Sequence, residues 1–572
     1  MMTNTEISLI LKEIAEILEL KGENFYKIRA YRRGARNVET LSEDMTRLVQ
    51  ENRLRQISGI GKGIASQIEE IVRTGRSSLL EELRSEVPTG LRRILGIPGV
   101  GVKSAQKLYY QLGISSLNQL KEACEQDQIK ELPGFGEKIQ EKILQGISKV
   151  ESSERETLLG IALPMNENII ATLEKFPEIE NVETSGSVRR RKGMVQDIDL
   201  VVKTQEPKTV KEKIIDLPAV YQVLEEQKNV LSVLNTVGIR IDFYLTSEKN
   251  FYYYLFLATG SEDHIEEVAN LAFQKGYELK KAGLIDKETE QGVELYSEFD
   301  LYNKLDLPYI APELRENRGE VEKAHKDKLP SLINVKDIKG DLHIHTNWTD
   351  GAGDLQDMVD GAKNMGYEYI AITDHSKSLK IANGLSEFQL ERQVEEIQKL
   401  NHELKDFTIF TGTEVDILKN GELDFSSDIL RELDFVIASI HQGFNDPGDV
   451  ITNRICKAME NPYVKAIAHP TGRLLGKRQG HDLDFERLFD TAVATNTALE
   501  INSSIDRLDL PEELVLQGIN KGVKFLISTD AHSTESFKDI QYGVFIARRG
   551  WLSKEQVINT YGLAEFTESF LG

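Results

Sequence analysis

Two sets of residues carry the types and spacing needed for chemistry, and the first is acidic. Asp197 and Asp199 stand two apart in the β-rich run QDIDLVV, and Asp242 lies in a second apolar run, IRIDFYL. Strand geometry turns alternate side chains to one face, so Asp197 and Asp199 point together and Asp242 joins them if the two strands pair. Three converging carboxylates are costly to desolvate without cations. Oxygen-only ligands suit Mg²⁺, which keeps waters and substrate phosphates in its shell, and two such ions at a spacing of about 3.5–4 Å serve in-line phosphoryl displacement. Upstream, Gly186, Ser187 and Arg190 offer backbone N–H, hydroxyl and guanidinium, the components of a phosphate cradle.

The second set is rich in imidazole. Of ten histidines, only His264 and His325 precede residue 340, and the other eight fall between His343 and His532. One apolar strand after another ends in a metal-type residue. DLHIHT supplies His343 and His345, followed by Asp350; YIAITDH supplies His375; and IFTGTEVD supplies Glu414. FVIASIH supplies His441, VKAIAHP supplies His469, and FLISTDAH supplies Asp530 and His532. Parallel strands closed into a barrel share one face at their carboxyl ends, so these nine residues are expected to converge. Mixed imidazole and carboxylate ligation suits Zn²⁺, Mn²⁺ or Fe²⁺ better than Mg²⁺ alone. Arg473 and Lys477, in the loop after His469, read either as contacts for substrate phosphates or as an ordinary solvated loop.

These residues need elements to hold them, and 572 residues predict several domains. After residue 338 short apolar strands alternate with helices, as in an α/β barrel. From about Leu163 to Leu245 helices alternate with β-rich runs, which predicts a small mixed sheet under the three aspartates. The first 150 residues are helical, with one motif three times over: GIGKG from Gly59 through Gly61 to Gly63, GIPGVGVK with Gly99, Gly101 and Lys103, and LPGFGEK with Gly134, Gly136 and Lys138. Each is a glycine hairpin leading into a helix, which brings backbone N–H groups close to a phosphate without reading bases. The net charge of −23 is unevenly spread, since residues 1–150 carry 23 Lys and Arg against 20 Asp and Glu. A nucleic-acid partner is therefore compatible with an acidic chain. With only Cys124 and Cys456, disulfide scaffolds and cysteine-rich zinc modules are excluded. The longest apolar stretch, Phe251 to Ala258, cannot span a bilayer, and an acidic amphipathic N-terminus predicts a cytoplasmic protein. Nothing here sets an oligomeric state.

The aspartate region resembles the palm of family X DNA polymerases. Gly186 stands eleven residues before Asp197, a TGS turn follows at Thr259–Ser261, and LPYIAPELRENRGEVE from Leu307 to Glu322 is close to the end of the bacterial polymerase core. The resemblance extends to the C-terminus, where bacterial members carry a polymerase and histidinol phosphatase (PHP) domain. It implies helix-hairpin-helix DNA binding over 1–85, a second hairpin region over 86–150, a nucleotidyltransferase palm over 151–250 and a thumb over 251–320. A linker at 321–337 and a distorted (β/α)7 PHP barrel over 338–572 complete the expected order. By the same resemblance Asp197, Asp199 and Asp242 hold two Mg²⁺, and Ser187 and Arg190 hold the triphosphate of a deoxynucleotide. The barrel holds up to three Mn²⁺ or Zn²⁺: His343, His345, Glu414 and Asp530 on one, Glu414, His441 and His469 on a second, Asp350, His375 and His532 on a third. The implied partners are gapped or 3′-recessed DNA and deoxynucleoside triphosphates. The implied activities are gap filling and Mn²⁺-dependent 3′-to-5′ trimming.

Several positions depart from the family pattern. Gln196 replaces a common Gly before the aspartates, and Leu257 and Ala258 replace an aromatic pair that helps exclude a ribose 2′-hydroxyl. Ile265 and Ala269 replace an Asn and an Arg that serve nucleotide and template. Gln67 stands where some members carry a Schiff-base lysine, so no lyase activity is expected. An alternative reading is thus a protein that is chiefly a PHP nuclease with a weak or inactive palm. A small-molecule phosphatase is a third, and it leaves the three hairpins unexplained.

Overall fold

Apolar residues at helical spacing build the first segment. The structure is a computed structural model that describes every residue except 1, 40, 42, 96, 98, 99, 153–155 and 572. Gly99, expected in the second hairpin, lies outside the described residues. Thr3 caps the helix Asn4–Leu20 in a reciprocal box with Glu6, and that helix buries Ile7, Ile10, Leu11, Ile14, Ile17 and Leu18 along one face. It packs on Phe25–Glu39, and a single core runs from Met2 to Ile147, so the hairpin regions before and after residue 85 share one interior.

The palm is a five-stranded sheet. Its strands are β1 (Ile179–Ser185), β2 (Asp197–Thr204), β3 (Val220–Glu226), β4 (Val230–Asn235) and β5 (Arg240–Thr246), in the order β1-β2-β5-β4-β3. Strands β2 and β5 pair in parallel, with Asp199 opposite Asp242. Alternation along β2 sends Ile198, Leu200 and Val202 into the core and leaves Asp197 and Asp199 on the other face. Farther along that face Val201 is covered by Phe251 and Leu255 of the helix Phe251–Thr259, where the thumb begins.

The barrel is a seven-stranded parallel sheet in chain order. Its strands are β6 (Gly340–Asp341), β7 (Tyr369–Ile372), β8 (Thr408–Asp416), β9 (Phe435–Ser439), β10 (Val464–Ile467), β11 (Ala498–Asn502) and β12 (Phe525–Ser528). A bridge between Ile344 and Ala531 joins the segments that follow its first and last strands. Residues of ligand parity but earlier on each strand, such as Tyr369, Phe410, Phe435 and Leu526, form one apolar cluster with Phe566 and Phe570 of the C-terminal turns. Aromatic side chains thus fill one end of the barrel and leave the other to polar groups. The charged segment expected as a linker is helical over Glu320–His325 and buries Val321 and Ala324 against the thumb core.

Candidate active sites and nucleic-acid interface

On the palm, carboxylate oxygens of Asp197, Asp199 and Asp242 come within 4.8 Å of one another. Burial, with the charges of Asp197 and Asp242, pushes the Asp199 carboxyl up to about 7. Burial and the charge of Asp242 raise Asp197 as well. Two neighbours partly offset this crowding: Arg240 donates Nε–H to Asp242 at 3.0 Å, and the Tyr244 hydroxyl donates to Asp199 at 3.3 Å. The Gly186 turn closes over the same place. Gly186 has φ +60°, and a Cβ there would lie 1.9 Å from Asp199 Oδ2, so no other residue fits. The Ser187 Oγ is buried without a hydrogen-bond partner.

Arg190, expected on the triphosphate, is placed differently. It donates Nε–H to Glu316 at 2.9 Å and Nη1–H to the carbonyl of Thr259 at 2.8 Å, so its guanidinium fastens the Gly186 turn to the TGS turn. Its neighbour Arg189 reaches Thr259 Oγ1 at 2.8 Å and Glu298 at 2.5 Å. Ile265 covers the TGS turn, since a Cβ on Gly260 would meet its Cδ1 at 2.8 Å. Gln67 accepts from Ser77 at 3.0 Å.

In the barrel the structure brings the nine expected ligands together. His345, Asp350, His375 and His532 form one group with ligand atoms within 4.8 Å of one another; His343, His345 and Asp530 form a second; His375, Glu414 and His441 form a third. His469 Nε2 lies 3.1 Å from Glu414 Oε1 and so joins the last group. The grouping differs from the expected division, because His345 leans toward Asp350 and His532, and His375 toward Glu414. The donor set fits bound metal on a specific ground. His375 Nδ1 lies 2.6 Å from Glu414 and His345 Nε2 lies 3.1 Å from Asp530, yet both nitrogens are buried without a hydrogen bond, as is His343 Nε2. Lone pairs held near carboxylates outside hydrogen-bond geometry are satisfied by cations.

Charge is balanced inside this cluster. Although burial opposes ionisation, imidazoles hold Glu414 and Asp530 well below the usual carboxylate range. Against the same burial, Asp350 and Asp530 raise His532 to about 9. His345 goes the other way, down to about 3, through burial and the charges of His375 and His532.

A layer of buried carboxylates behind the ligands escaped the sequence reading. Glu500 accepts from His343 Nδ1 at 2.6 Å, from Ser528 at 2.6 Å and from the His469 backbone N–H at 2.5 Å. Asp416 accepts from His441 Nδ1 at 2.6 Å. Asp374 accepts from Thr346, Thr349 and Gln393 and so fixes the loop that carries Asp350. A signal existed for the first of these: β11 is the one barrel strand for which no ligand was expected, and it carries Glu500. Arg473 donates to the carbonyls of Arg507 and Leu508, so its guanidinium is held by backbone. Arg507 does reach the expected ligands, with Nε 3.8 Å from Asp530.

The hairpins show two kinds of glycine. Gly59 and Gly134 have φ +79° and +91°, where the turn itself demands glycine. Gly61 and Gly101 precede the helices Lys62–Thr74 and Val102–Leu112 with ordinary φ −79°, and a Cβ on either, or on Gly63 or Gly136, would meet nothing within 4 Å. Lys103 and Lys138 are exposed beside them. The helix Phe25–Glu39, not singled out from sequence, exposes Phe25, Tyr26, Lys27, Arg29, Arg32 and Arg33, and Arg33 borders Gly59.

Comparison with known proteins matches four segments of the chain. Residues 2–77 match a helix-hairpin-helix domain, 91–149 a SAM-like helix-hairpin-helix tandem, 254–316 a DNA polymerase beta thumb, and 341–510 a PHP domain. A probable phosphatase of Thermoanaerobacter sp. (strain X514) is 28% identical over 231 residues, 38% of this chain and 89% of its own length. A probable phosphatase of Acetivibrio thermocellus is 32% identical over 201 residues, 34% of this chain and 78% of its own. The DNA polymerase/3′-5′ exonuclease PolX of Bacillus subtilis (strain 168) is 40% identical over 572 residues, covering 100% of this chain and 99% of the relative. The phosphatases match only a part, whereas this similarity runs through hairpins, palm, thumb and barrel together, so the chain belongs to the family X DNA polymerases with a C-terminal PHP domain.

Proposed function

We propose that this protein adds deoxynucleotides to a 3′ end in short DNA gaps at the palm and trims 3′ ends at the barrel, with the hairpins gripping the DNA backbone. One observation carries the reading: the carboxylates of Asp197, Asp199 and Asp242 converge on the sheet, apart from the barrel ligands, in a chain similar to a polymerase/exonuclease over its whole length. Asp197, Asp199 and Asp242 would hold two Mg²⁺. The nine barrel ligands would hold up to three Mn²⁺ or Zn²⁺. Bound divalent ions supply charge stabilisation to a phosphoryl group in transfer. The chain's own residues orient the reactants: the Gly186 backbone and Ser187 hydroxyl receive phosphate oxygens, and Arg240 keeps Asp242 turned to its partners. In the barrel, Glu500 and Asp416 fix the tautomers of His343 and His441 by accepting their Nδ1–H, which leaves Nε2 of each ring free to ligate.

A second reading, a nuclease with a weak palm, rests on Ile265 over the TGS turn and Ala258 beside it. Labelled gapped DNA with Mg²⁺ or Mn²⁺, read for primer extension and for 3′ loss, separates the two. Extension by the wild type supports the polymerase reading, and 3′ loss without extension favours the nuclease.

A further inference from the structure

Arg549, in the barrel domain, is buried to 1% exposure at the end of the helix Ile540–Arg549, far in sequence from the palm aspartates. Its Nη1 donates to the carbonyl of Arg190 at 2.7 Å and to Glu316 Oε1 at 3.0 Å. Nε and Nη2 both donate to Glu512 Oε1, at 2.9 and 2.7 Å. Glu512 opens another barrel helix, Glu512–Lys521. Glu316 lies between two guanidiniums, because Arg190 Nε donates to the same oxygen at 2.9 Å. Arg190 in turn caps the turn Gly186–Arg189 and holds the carbonyl of Thr259. One continuous chain of charged hydrogen bonds therefore leads from the barrel to both turns that border the nucleotide place.

A buried ion network is weak evidence for stability, because a packed apolar set of the same volume often does as well. Its distinctive property is fixed geometry, since guanidinium and carboxylate bond only in a few orientations. We propose that Arg549 is a positioning residue for nucleotide addition: the barrel domain, through Arg549 and Glu512, sets the Gly186–Arg190 turn that receives the incoming triphosphate. This rests on the polymerase reading of the palm.

The test uses the full-length protein, gapped DNA and Mg²⁺. In Arg549→Lys the charge stays, but one amine cannot span three acceptors. The KM for deoxynucleoside triphosphate should rise roughly tenfold, the scale of one lost charge-assisted hydrogen bond. Affinity for gapped DNA and Mn²⁺-dependent 3′ trimming should each stay within about twofold, as expected of distant sites. Glu512→Gln, which leaves Arg549 in place but loosens its anchor, should move KM the same way by less. A folded Arg549→Lys variant with unchanged KM overturns the proposal, and so does an equal loss of extension and trimming, which would mean a merely structural role. If Arg549→Lys does not fold, Glu512→Gln decides: a raised KM supports the proposal and an unchanged one overturns it. A wild type that adds no nucleotide at all would instead sink the reading of the palm, an outcome distinct from any variant's failure.

Discussion

The palm and the barrel both gather carboxylates around an expected metal, and they do so by opposite means. On the palm three aspartates face each other on an open sheet with one arginine at their edge, and burial with mutual repulsion pushes Asp199 up to about 7. In the barrel the carboxylates are interleaved with imidazoles, and Glu414 and Asp530 fall well below their usual range against the cost of burial. The palm aspartates thus raise one another, whereas the barrel carboxylates are lowered by the imidazoles beside them. Behind the barrel ligands stand Glu500, Asp416 and Asp374; behind the palm aspartates stand apolar strand residues. On the proposed reading, the palm would take ions that come and go with a charged substrate, and the barrel, with its backing carboxylates, ions that reside.

The sharpest way to break this comparison is to disable one centre at a time. Asp197→Asn or Asp199→Asn should lower nucleotide addition by about a thousandfold or more, the several kcal/mol that charge stabilisation supplies to phosphoryl transfer. Trimming should stay within about twofold, because the barrel set is complete without them. Equal loss of both in folded protein, measured by primer extension and 3′ release on the same DNA, would show a single shared centre.

His343→Ala with His345→Ala should remove Mn²⁺-dependent trimming and leave extension in place. These rings belong to two of the three ligand groups, so metal content measured by mass spectrometry should fall by more than one ion. Full metal content with trimming at the original rate would exclude the barrel as the nuclease.

How much of this was legible in sequence follows from the range of each interaction. The convergence of the nine expected barrel ligands was legible because most of them sit at or just after the end of a short apolar strand, and strand order in the barrel is chain order. The palm aspartates were legible because strand alternation is local and one pairing, β2 with β5, suffices. Glu500 was not, since a carboxylate two residues from a strand end resembles any polar strand residue until His343, 157 positions away, meets it. The partners of Arg190 were not legible for the same reason: Glu316 and Arg549 lie 126 and 359 residues along the chain. The helix Glu320–His325 looked like a charged linker because its buried apolar residues are only Val321 and Ala324, too few for a visible period.

A smaller effect sharpens the idea of residency. Glu500→Gln keeps the shape behind His343 but replaces an anionic acceptor with a neutral amide. Barrel metal affinity should fall about 10–100-fold, the usual cost of losing an outer-shell partner. Palm extension in Mg²⁺ should not change. Competition with a fluorescent chelator would measure the first and gap filling the second. Unchanged chelator competition would mean that Glu500 serves packing and not the ligands.

The smallest effect concerns the glycines, and here too palm and N-terminus contrast. Gly186 is glycine because the fold requires it, with Asp199 where a Cβ would go. Gly61 and Gly101 have ordinary φ and nothing within 4 Å of a Cβ, so the fold itself does not require them. Their lack of a side chain is explained by a partner's backbone that must come close to the N–H groups at the helix start. Threonine ranks with glycine as a helix cap, so Gly61→Thr with Gly101→Thr should leave the melting temperature unchanged. Affinity for gapped DNA should weaken several-fold, and the slope of log affinity against log salt should shrink by about 0.9 for each phosphate no longer neutralised. Binding titrations at several salt concentrations would measure both. A drop in melting temperature with no change in DNA affinity would place these glycines in the service of the fold, and the DNA grip would then have to be sought on the basic helix Phe25–Glu39.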